Sequence, residues 1–337
     1  MTYKMVRIAF LFLGFSLLYG VVKKIGWASI ETQVAGFRWN LLPILSIGFF
    51  WYLCYTLAWA QILKQQNIKI PFWSLFKARV ACDTASTMTP VNFLGGDTMR
   101  IYLLHQSSNV TSLAATVVVD RTINSIAIVA VIFAGAIAAF LTLPGLPHQV
   151  AVGIPAFLIF STTLIVFFLF RQHKGLFASI LRLAQRLPIA TSLVQKYRHK
   201  AEELDKKVLG VYQKSHKTFW IALFYHMAGR LFGVLEVYMI GKTMTHNFTM
   251  LIALLLATLA PIINMAFTFI PGALGVLEGV YSGALYLLGL PAALGLTIQI
   301  IKRIRAGIWM GLGLGFISFR RHHRRAAYNK GPLQQPL

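Results

Sequence analysis

Asp97 and Arg100 stand three residues apart, after a proline and two glycines, in Pro90-Val-Asn-Phe-Leu-Gly-Gly-Asp-Thr-Met-Arg100. On a helix beginning after Gly96 the two side chains share a face, and Asp97 gains from the helix dipole at that start. Asp120 and Arg121 are neighbours, about 100° apart on a helix, so each needs a partner from another segment. Further along, Pro271-Gly-Ala-Leu-Gly-Val-Leu-Glu278 ends on an acid with no basic residue in its own stretch. The nearest candidates by sequence lie in Lys302-Arg303-Ile304-Arg305. Arginines in such a set suit phosphate, and the acids suit amines or hydroxyls, or balance the arginines. Backbone amides freed at a helix break suit anions as well. The candidate ligand-binding side chains are Asp97, Arg100, Asp120, Arg121, Glu278 and Arg303.

The setting makes these charges costly. The 337-residue chain is 57% hydrophobic and 12% charged, against about 25% charged in a soluble domain, and its mean hydropathy is +0.67. Apolar residues fall in long runs: Phe10–Val22, Leu41–Leu63, Ile126–Leu143, Val150–Phe170, Phe219–Ile240, Met250–Ile270 and Ile308–Phe319. Several exceed the ~18 residues of a spanning helix. The expected fold is an all-α polytopic membrane protein with about 7–8 membrane segments. Of its nine acids, Asp83, Asp97, Asp120, Glu236 and Glu278 lie in or beside apolar sequence, in company with Arg100, Arg121, Arg230, Lys302, Arg303 and Arg305. A charge at the centre of a spanning helix costs roughly 2.5–3.5 kcal/mol on insertion scales, so these must pair or face water. Arg230 and Glu236 read as interhelical ion-pair residues.

The net charge of +23 follows the membrane rather than a nucleic acid. Eleven of the 32 Lys and Arg residues lie between Arg171 and Lys217, and five more between Arg320 and Lys330, whereas Thr142–Gln149 has none. That is the positive-inside pattern. It places the 171–217 loop, the 321–337 tail and both termini in the cytoplasm, on a multi-pass protein of the cell (inner) membrane. Lys64, Lys69, Lys77, Arg79 and Arg100 agree with a cytoplasmic return after the second span. One membrane domain, 1–320, thus divides into halves of about 5–170 and 218–320. Phe219–Ile240 and Met250–Ile270 read as two crossings, with Leu274–Phe319 adding an even number or a re-entrant loop. In the loop, Gly175–Leu187 reads as an interfacial amphipathic helix or one packed on its neighbour, and Gln195–Lys217 as a solvated helix. Cys54 and Cys82 are far apart within apolar sequence and imply neither disulfide nor metal site. No motif asks for a cofactor, metal or catalytic residue.

The two proline stretches mirror one another. Pro90 and Asp97 are seven residues apart, as are Pro271 and Glu278, with Gly95 and Gly96 in one interval and Gly272 and Gly275 in the other. Two broken or re-entrant elements, one per half, suggest an inverted repeat whose breaks meet near the bilayer midplane, with Asp97 and Glu278 looking into one wet cleft. Such breaks survive at membrane depth only inside protein or along a wet cavity. Gly275, Gly279 and Gly283, and Gly311 and Gly315, repeat every four residues and read as helix-packing faces.

The Pro90–Arg100 stretch, Val119-Asp-Arg121 and Pro271–Glu278 together resemble the flippase-like membrane domain of the lysylphosphatidylglycerol synthase family, over about residues 5 to 320. The resemblance implies handling of envelope lipids and matches Asp97, Arg100, Arg121, Glu278 and Arg303 to the family's recurrent polar positions. Bifunctional members add a soluble aminoacyl-transferase domain, and with this chain ending at Leu337 lipid aminoacylation is not expected. Three readings stay open. One is a transporter or flippase moving a phosphate-bearing lipid, such as an aminoacylated or polyprenyl-linked one, through a polar groove. Another is a membrane enzyme acting on a lipid-linked phosphate, with Asp97 or Glu278 as general base. The third is a non-catalytic partner of a lipid-synthesis enzyme. The expected ligands are membrane lipids with anionic headgroups, not nucleic acid, and the chain could form a homo-oligomer. Reporter fusions after Lys200 and after Leu337 should score as cytoplasmic, and one after Gly145 as extracytoplasmic; opposite sides for the first two would overturn the topology.

Overall fold

The computed structural model describes residues 41–88, 92–105, 108–142, 175–184, 191–267 and 270–329, with isolated positions between 19 and 31 and between 159 and 171. Ten α-helices and one 3-10 turn make up the regular structure among the described residues, with no strand. They are α1 (Leu41–Gln65), α2 (Phe72–Met88), α3 (Asn92–Leu104), α4 (Val110–Thr142), α5 (Leu176–Ala184), α6 (Thr191–Lys214), α7 (His216–Met244), α8 (Met250–Ala266), the turn Pro271–Ala273, α9 (Val276–Leu287) and α10 (Ala292–Asn329). Three stretches, Leu41–Gln65, Val110–Phe140 and His216–Met244, are long and apolar enough to cross a membrane. The expected first span at Phe10–Val22, the span at Val150–Phe170, Pro90 and the tail beyond Asn329 lie outside the described residues, apart from isolated positions.

Capping chemistry sets several helix starts. Asn109 Oδ1 accepts from the Thr111 amide at 2.8 Å before α4. Ser215 caps α7 through the Thr218 amide, and Thr249 caps α8 through the Ile252 amide. Each hydroxyl or amide oxygen satisfies a donor that the first turn leaves unpaired.

The helices form two copies of one four-element pattern. A long helix, a 17-residue helix, a short helix of 13 or 12 residues and a second long helix run α1–α2–α3–α4 and again α7–α8–α9–α10. The copies are inverted. Phe50 stacks on Phe232 and Tyr55 lies against His226, so α1 and α7 run antiparallel. Their contacts cross over between the halves, with α4 packed on α8 and α10 on α2.

Packing here rests on close backbone approach, because lipid tails give helices no hydrophobic reason to associate. A Cβ on Gly135 of α4 would fall 2.3 Å from Thr258 Oγ1 of α8, and one on Gly313 of α10 would fall 2.0 Å from Thr84 Oγ1 of α2. Each half thus sets a glycine of its last helix on a threonine of the other half's second helix. Gly283, Gly311 and Gly315 have open space where a side chain would stand, so the four-residue glycine spacing does not mark the packing faces there. Gly295, against the backbone of Tyr281 and Ser282, does that work between α9 and α10.

α2 and α3 form a hairpin. Gly96 of α3 sits so near α2 that a Cβ would meet Ser86 Oγ at 2.0 Å and the Cys82 carbonyl at 2.7 Å, while Leu103 and Leu104 share a cluster with Leu75 and Ala78. At 1.5 Å per residue α3 spans about 20 Å and α9 about 18 Å, short of the ~30 Å hydrocarbon core. Each is the returning arm of a re-entrant element. Of the two expected crossings in this half, Phe219–Ile240 falls in α7, which is long and apolar enough to span, and Met250–Ile270 holds α8, a shorter apolar helix of 17 residues.

The loop helices dock on the bundle. Val208 and Val211 of α6 pack with Ala58, Ile62, Ala115 and Ala222, and Gln65 Nε2 donates to the Val211 carbonyl at 2.9 Å. Asp205 is buried and accepts from the Phe177 and Ala178 amides at 3.0 and 2.8 Å, capping α5 from a neighbouring helix. Residues 201–212 of α6 thus form a half-buried strut, where a solvated helix was expected over Gln195–Lys217, and α5 packs on it. Substituting Gly96 by valine should cost about 1–3 kcal/mol or more, because a backbone carbonyl stands in the way. Gly283→Ala should be neutral. Thermal melting of both variants in detergent tests the contrast.

Candidate functional site

Asp120, a third of the way along α4, is 1% exposed and collects donors from three other helices. Arg79 Nη1 of α2 and Arg100 Nη1 of α3 reach Oδ2 at 3.0 and 2.7 Å, and His226 Nε2 of α7 lies 3.0 Å from Oδ1. Arg100 also donates to Asp97 Oδ1 at 2.6 Å. Aromatic faces of α1 complete the enclosure: Arg100 lies over Trp59 and Arg79 over Tyr55, at 4.9 and 5.0 Å. A buried ion is tolerable only when paired and hydrogen-bonded, and here both are met.

The outer part of this network is more open. Arg121 Nε stands 3.7 Å from Asp97 Oδ2, with the arginine side chain 41% and the aspartate 20% exposed. Arg230 donates to Asn124 Oδ1 at 3.0 Å. Four guanidiniums, of Arg79, Arg100, Arg121 and Arg230, thus cluster around the carboxylates of Asp97 and Asp120, with Asp83 one turn beyond Arg79. Tyr52 Oη donates to Asp83 at 2.9 Å. Asp83 is the one intramembrane acid whose partner among the described residues is not cationic.

A second network sits at the other break. Pro271 opens the 3-10 turn, and the chain then passes through positive φ at Gly272 (61°), Ala273 (44°) and Gly275 (77°). Glycine adopts that conformation without the Cβ penalty; Ala273 bears it. Glu278, third residue of α9, turns back to accept from the Gly275 amide at 2.8 Å, the reciprocal half of a capping box. Arg303 of α10 pairs with its other oxygen at 2.5 Å and donates Nη2 to the Gly272 carbonyl at 3.3 Å. Glu278 is 0% exposed and Arg303 32%. Deeper in the bundle Glu236 pairs with Arg305, which lies over Trp51.

These positions correct several expectations. α3 starts at Asn92 and runs unbroken through Gly95 and Gly96, so neither glycine breaks the helix; Gly96 is there for the approach to α2. Asp97 accordingly sits a turn and a half inside α3, and its partners are guanidiniums rather than free amides. Arg79 and Arg100 are buried in the bundle and are not cytoplasmic loop charges. Glu278 does not look into a cleft: both of its oxygens are engaged, and its network is separate from that of Asp97 among the described residues. Arg230 and Glu236 do join helices, through Asn124 and Arg305. The sequence reading missed Arg79 and His226 as partners of Asp120. His226 had a signal, since it and Arg230 lie four apart on one face of an apolar helix.

Outside the membrane, α6 carries ordinary surface chemistry. The Glu203 carboxyl is held below its usual range by its hydrogen bond to Lys207, and burial pushes the Tyr212 hydroxyl up to about 12.

The inverted hairpins and the buried arginine network define a polytopic membrane protein built on an internal repeat. Residues 5–315 match the family described as the lysylphosphatidylglycerol synthase TM region, and the chain belongs to that family, among membrane proteins of lipid metabolism or transport. It is 23% identical over 309 residues to a UPF0104 membrane protein of Pyrococcus horikoshii, covering 86% of this chain and 90% of that one. No solved structure matches.

Asp120→Asn should be severe, because Arg79 and Arg100 then lose the carboxylate they share; breaking a buried pair costs about 3–5 kcal/mol. Arg121→Gln, at a half-exposed position, should leave folding intact. Expression and monodispersity on size-exclusion chromatography compare the two, and equal behaviour would refute the difference in burial.

Proposed function

We propose that this protein moves a phosphate-bearing membrane lipid between leaflets, its headgroup passing along the arginines while its tails stay in the bilayer. The observation that carries this is a charge surplus within the membrane segments. Seven cationic side chains, Arg79, Arg100, Arg121, Arg230, Lys302, Arg303 and Arg305, stand against five acids, Asp83, Asp97, Asp120, Glu236 and Glu278. A structural scaffold of ion pairs would balance its charges, because an unmatched charge at membrane depth is costly. A net positive interior instead suits a visiting anion, and a lipid phosphate is the anion a bilayer supplies. Arg121 and Arg303 are partly exposed, with side chains 41% and 32% open, so they are placed to meet it; Arg230, also partly open, is held by Asn124.

The basic loop and tail put the α6 face in the cytoplasm. Their charges also favour an anionic leaflet, at roughly 1 kcal/mol per Lys or Arg near the surface. The lipid is phosphatidylglycerol-like, aminoacylated or polyprenyl-linked, as the family suggests, and the protein resides in the cell membrane.

The test uses purified full-length protein in vesicles of phosphatidylcholine and phosphatidylglycerol, about nine to one, with a fluorescent phosphatidylglycerol reporter quenched from outside by dithionite. Reporter translocation should exceed that of protein-free vesicles, and lipids recovered afterwards should be chemically unchanged. Rates equal to empty vesicles would overturn transport, and altered lipids would point to an enzyme instead.

A further inference from the structure

The two networks share a plan. Arg121 is the twelfth residue of α4 and Arg303 the twelfth of α10, the matching last helices of the two repeats. Each pairs with an acid on the short helix that follows its own break: Asp97 on α3, Glu278 on α9. The acid-to-arginine separations along the chain are nearly equal, 24 residues from Asp97 to Arg121 and 25 from Glu278 to Arg303.

The repeats run in opposite directions, so the two pairs are reached from opposite faces. α4 and α7 run parallel and start on one face, since Asp120 meets His226 and, one turn further on, Asn124 meets Arg230. α10 runs antiparallel to α2, with Lys77 over Phe316 and Thr84 against Gly313. It therefore starts on the other face.

The pairs nonetheless differ in state. The first is slack, at 3.7 Å with both partners partly open. The second is shut, at 2.5 Å with its acid fully covered. Two equivalent elements held in two conformations are what an inverted-repeat transporter uses, each repeat taking the other's conformation when access switches. A carboxylate on an empty arginine also has a clear physical role. It neutralises the guanidinium while no ligand is there, lowering the desolvation cost of an empty site, and an arriving phosphate exchanges with it.

We propose that Arg121 and Arg303 are two symmetry-related stations for the headgroup phosphate, one reached from each face, and that Asp97 and Glu278 are built-in anions which the phosphate displaces. This rests on the transport reading above and adds to it a second station and a competitor at each.

The stations are tested in the same vesicles by titrating phosphatidylglycerol and measuring the mole fraction that half-saturates reporter transport. Arg121→Gln and Arg303→Gln should each raise that fraction about tenfold, and Arg303→Lys should recover part of the loss. Glu278→Gln and Asp97→Asn, which remove the competitor, should lower it. Melting temperature on each variant separates misfolding from lost binding. If Arg303→Gln and Glu278→Gln shift the half-saturation point in the same direction, the pair is only a structural latch and the proposal fails. It fails too if Arg121→Gln matters and Arg303→Gln does not, while transport itself stands. Wild-type protein no faster than empty vesicles defeats the transport reading instead.

Discussion

One carboxylate holds the first half of the molecule together. Asp120 gathers Arg79, Arg100 and His226 from α2, α3 and α7, so the α2–α3 hairpin cannot leave α4 or α7 without stranding a charge where water is scarce. Tertiary contacts in lipid lack the hydrophobic drive that assembles soluble domains, which makes a charged node of this kind a strong determinant of geometry. Glycines then set the spacing: Gly96 brings α3 onto α2, and Gly229 lets α7 lie against the Tyr55 ring. The node also fixes Arg100 between two acids, whereas Arg121, at 3.7 Å from Asp97, has room to move.

The second half reaches the same arrangement by other means. Glu278 caps its own helix through Gly275 and holds Arg303 with its remaining oxygen, a local device where the first half uses a node of four helices. The different chemistry explains the different slack. Asp97 divides its oxygens between Arg100 and Arg121 and holds the latter at 3.7 Å, whereas Glu278 has a single cation to satisfy. α2 touches both breaks, since the Pro271–Ala273 turn packs on it and its own end leads to Pro90. A shift of α2 is therefore felt by both halves at once.

The acid spacing was legible in the sequence because it is local: Pro90 to Asp97 and Pro271 to Glu278 repeat the same interval, and Arg303 belongs to Lys302–Arg305, the group of cations nearest to Glu278 in sequence. The all-α membrane class was legible in the long apolar runs. What could not be read was whatever depended on which helices meet. Arg79 looks like a loop charge because it follows Lys77 by two residues, and only the depth to which α2 enters the bundle shows it buried. Gly95 and Gly96 looked like a break because glycine is a poor helix former in isolation. Contact between α3 and α2 outweighs that propensity, and it needs a residue without a Cβ at 96. His226 shares a face with Arg230, but its partner could not be read, since Asp120 lies 106 residues away.

The depth of the two outer arginines bears on how a phosphate crosses. Eleven residues separate Arg121 and Arg303 from the starts of α4 and α10, about 16 Å of rise in each case. Those starts lie on opposite faces, and both helices, about 50 and 57 Å long, exceed the ~30 Å hydrocarbon core. The two guanidiniums therefore sit at equal depths counted from opposite ends, each about a third of the way along its helix. On the transport reading a headgroup passes between them along α2, which packs on both α3 and the Pro271–Ala273 turn. That route avoids carrying a bare phosphate through hydrocarbon. Asp83 lies on α2 itself, and its bond to Tyr52 at 2.9 Å joins that helix to α1.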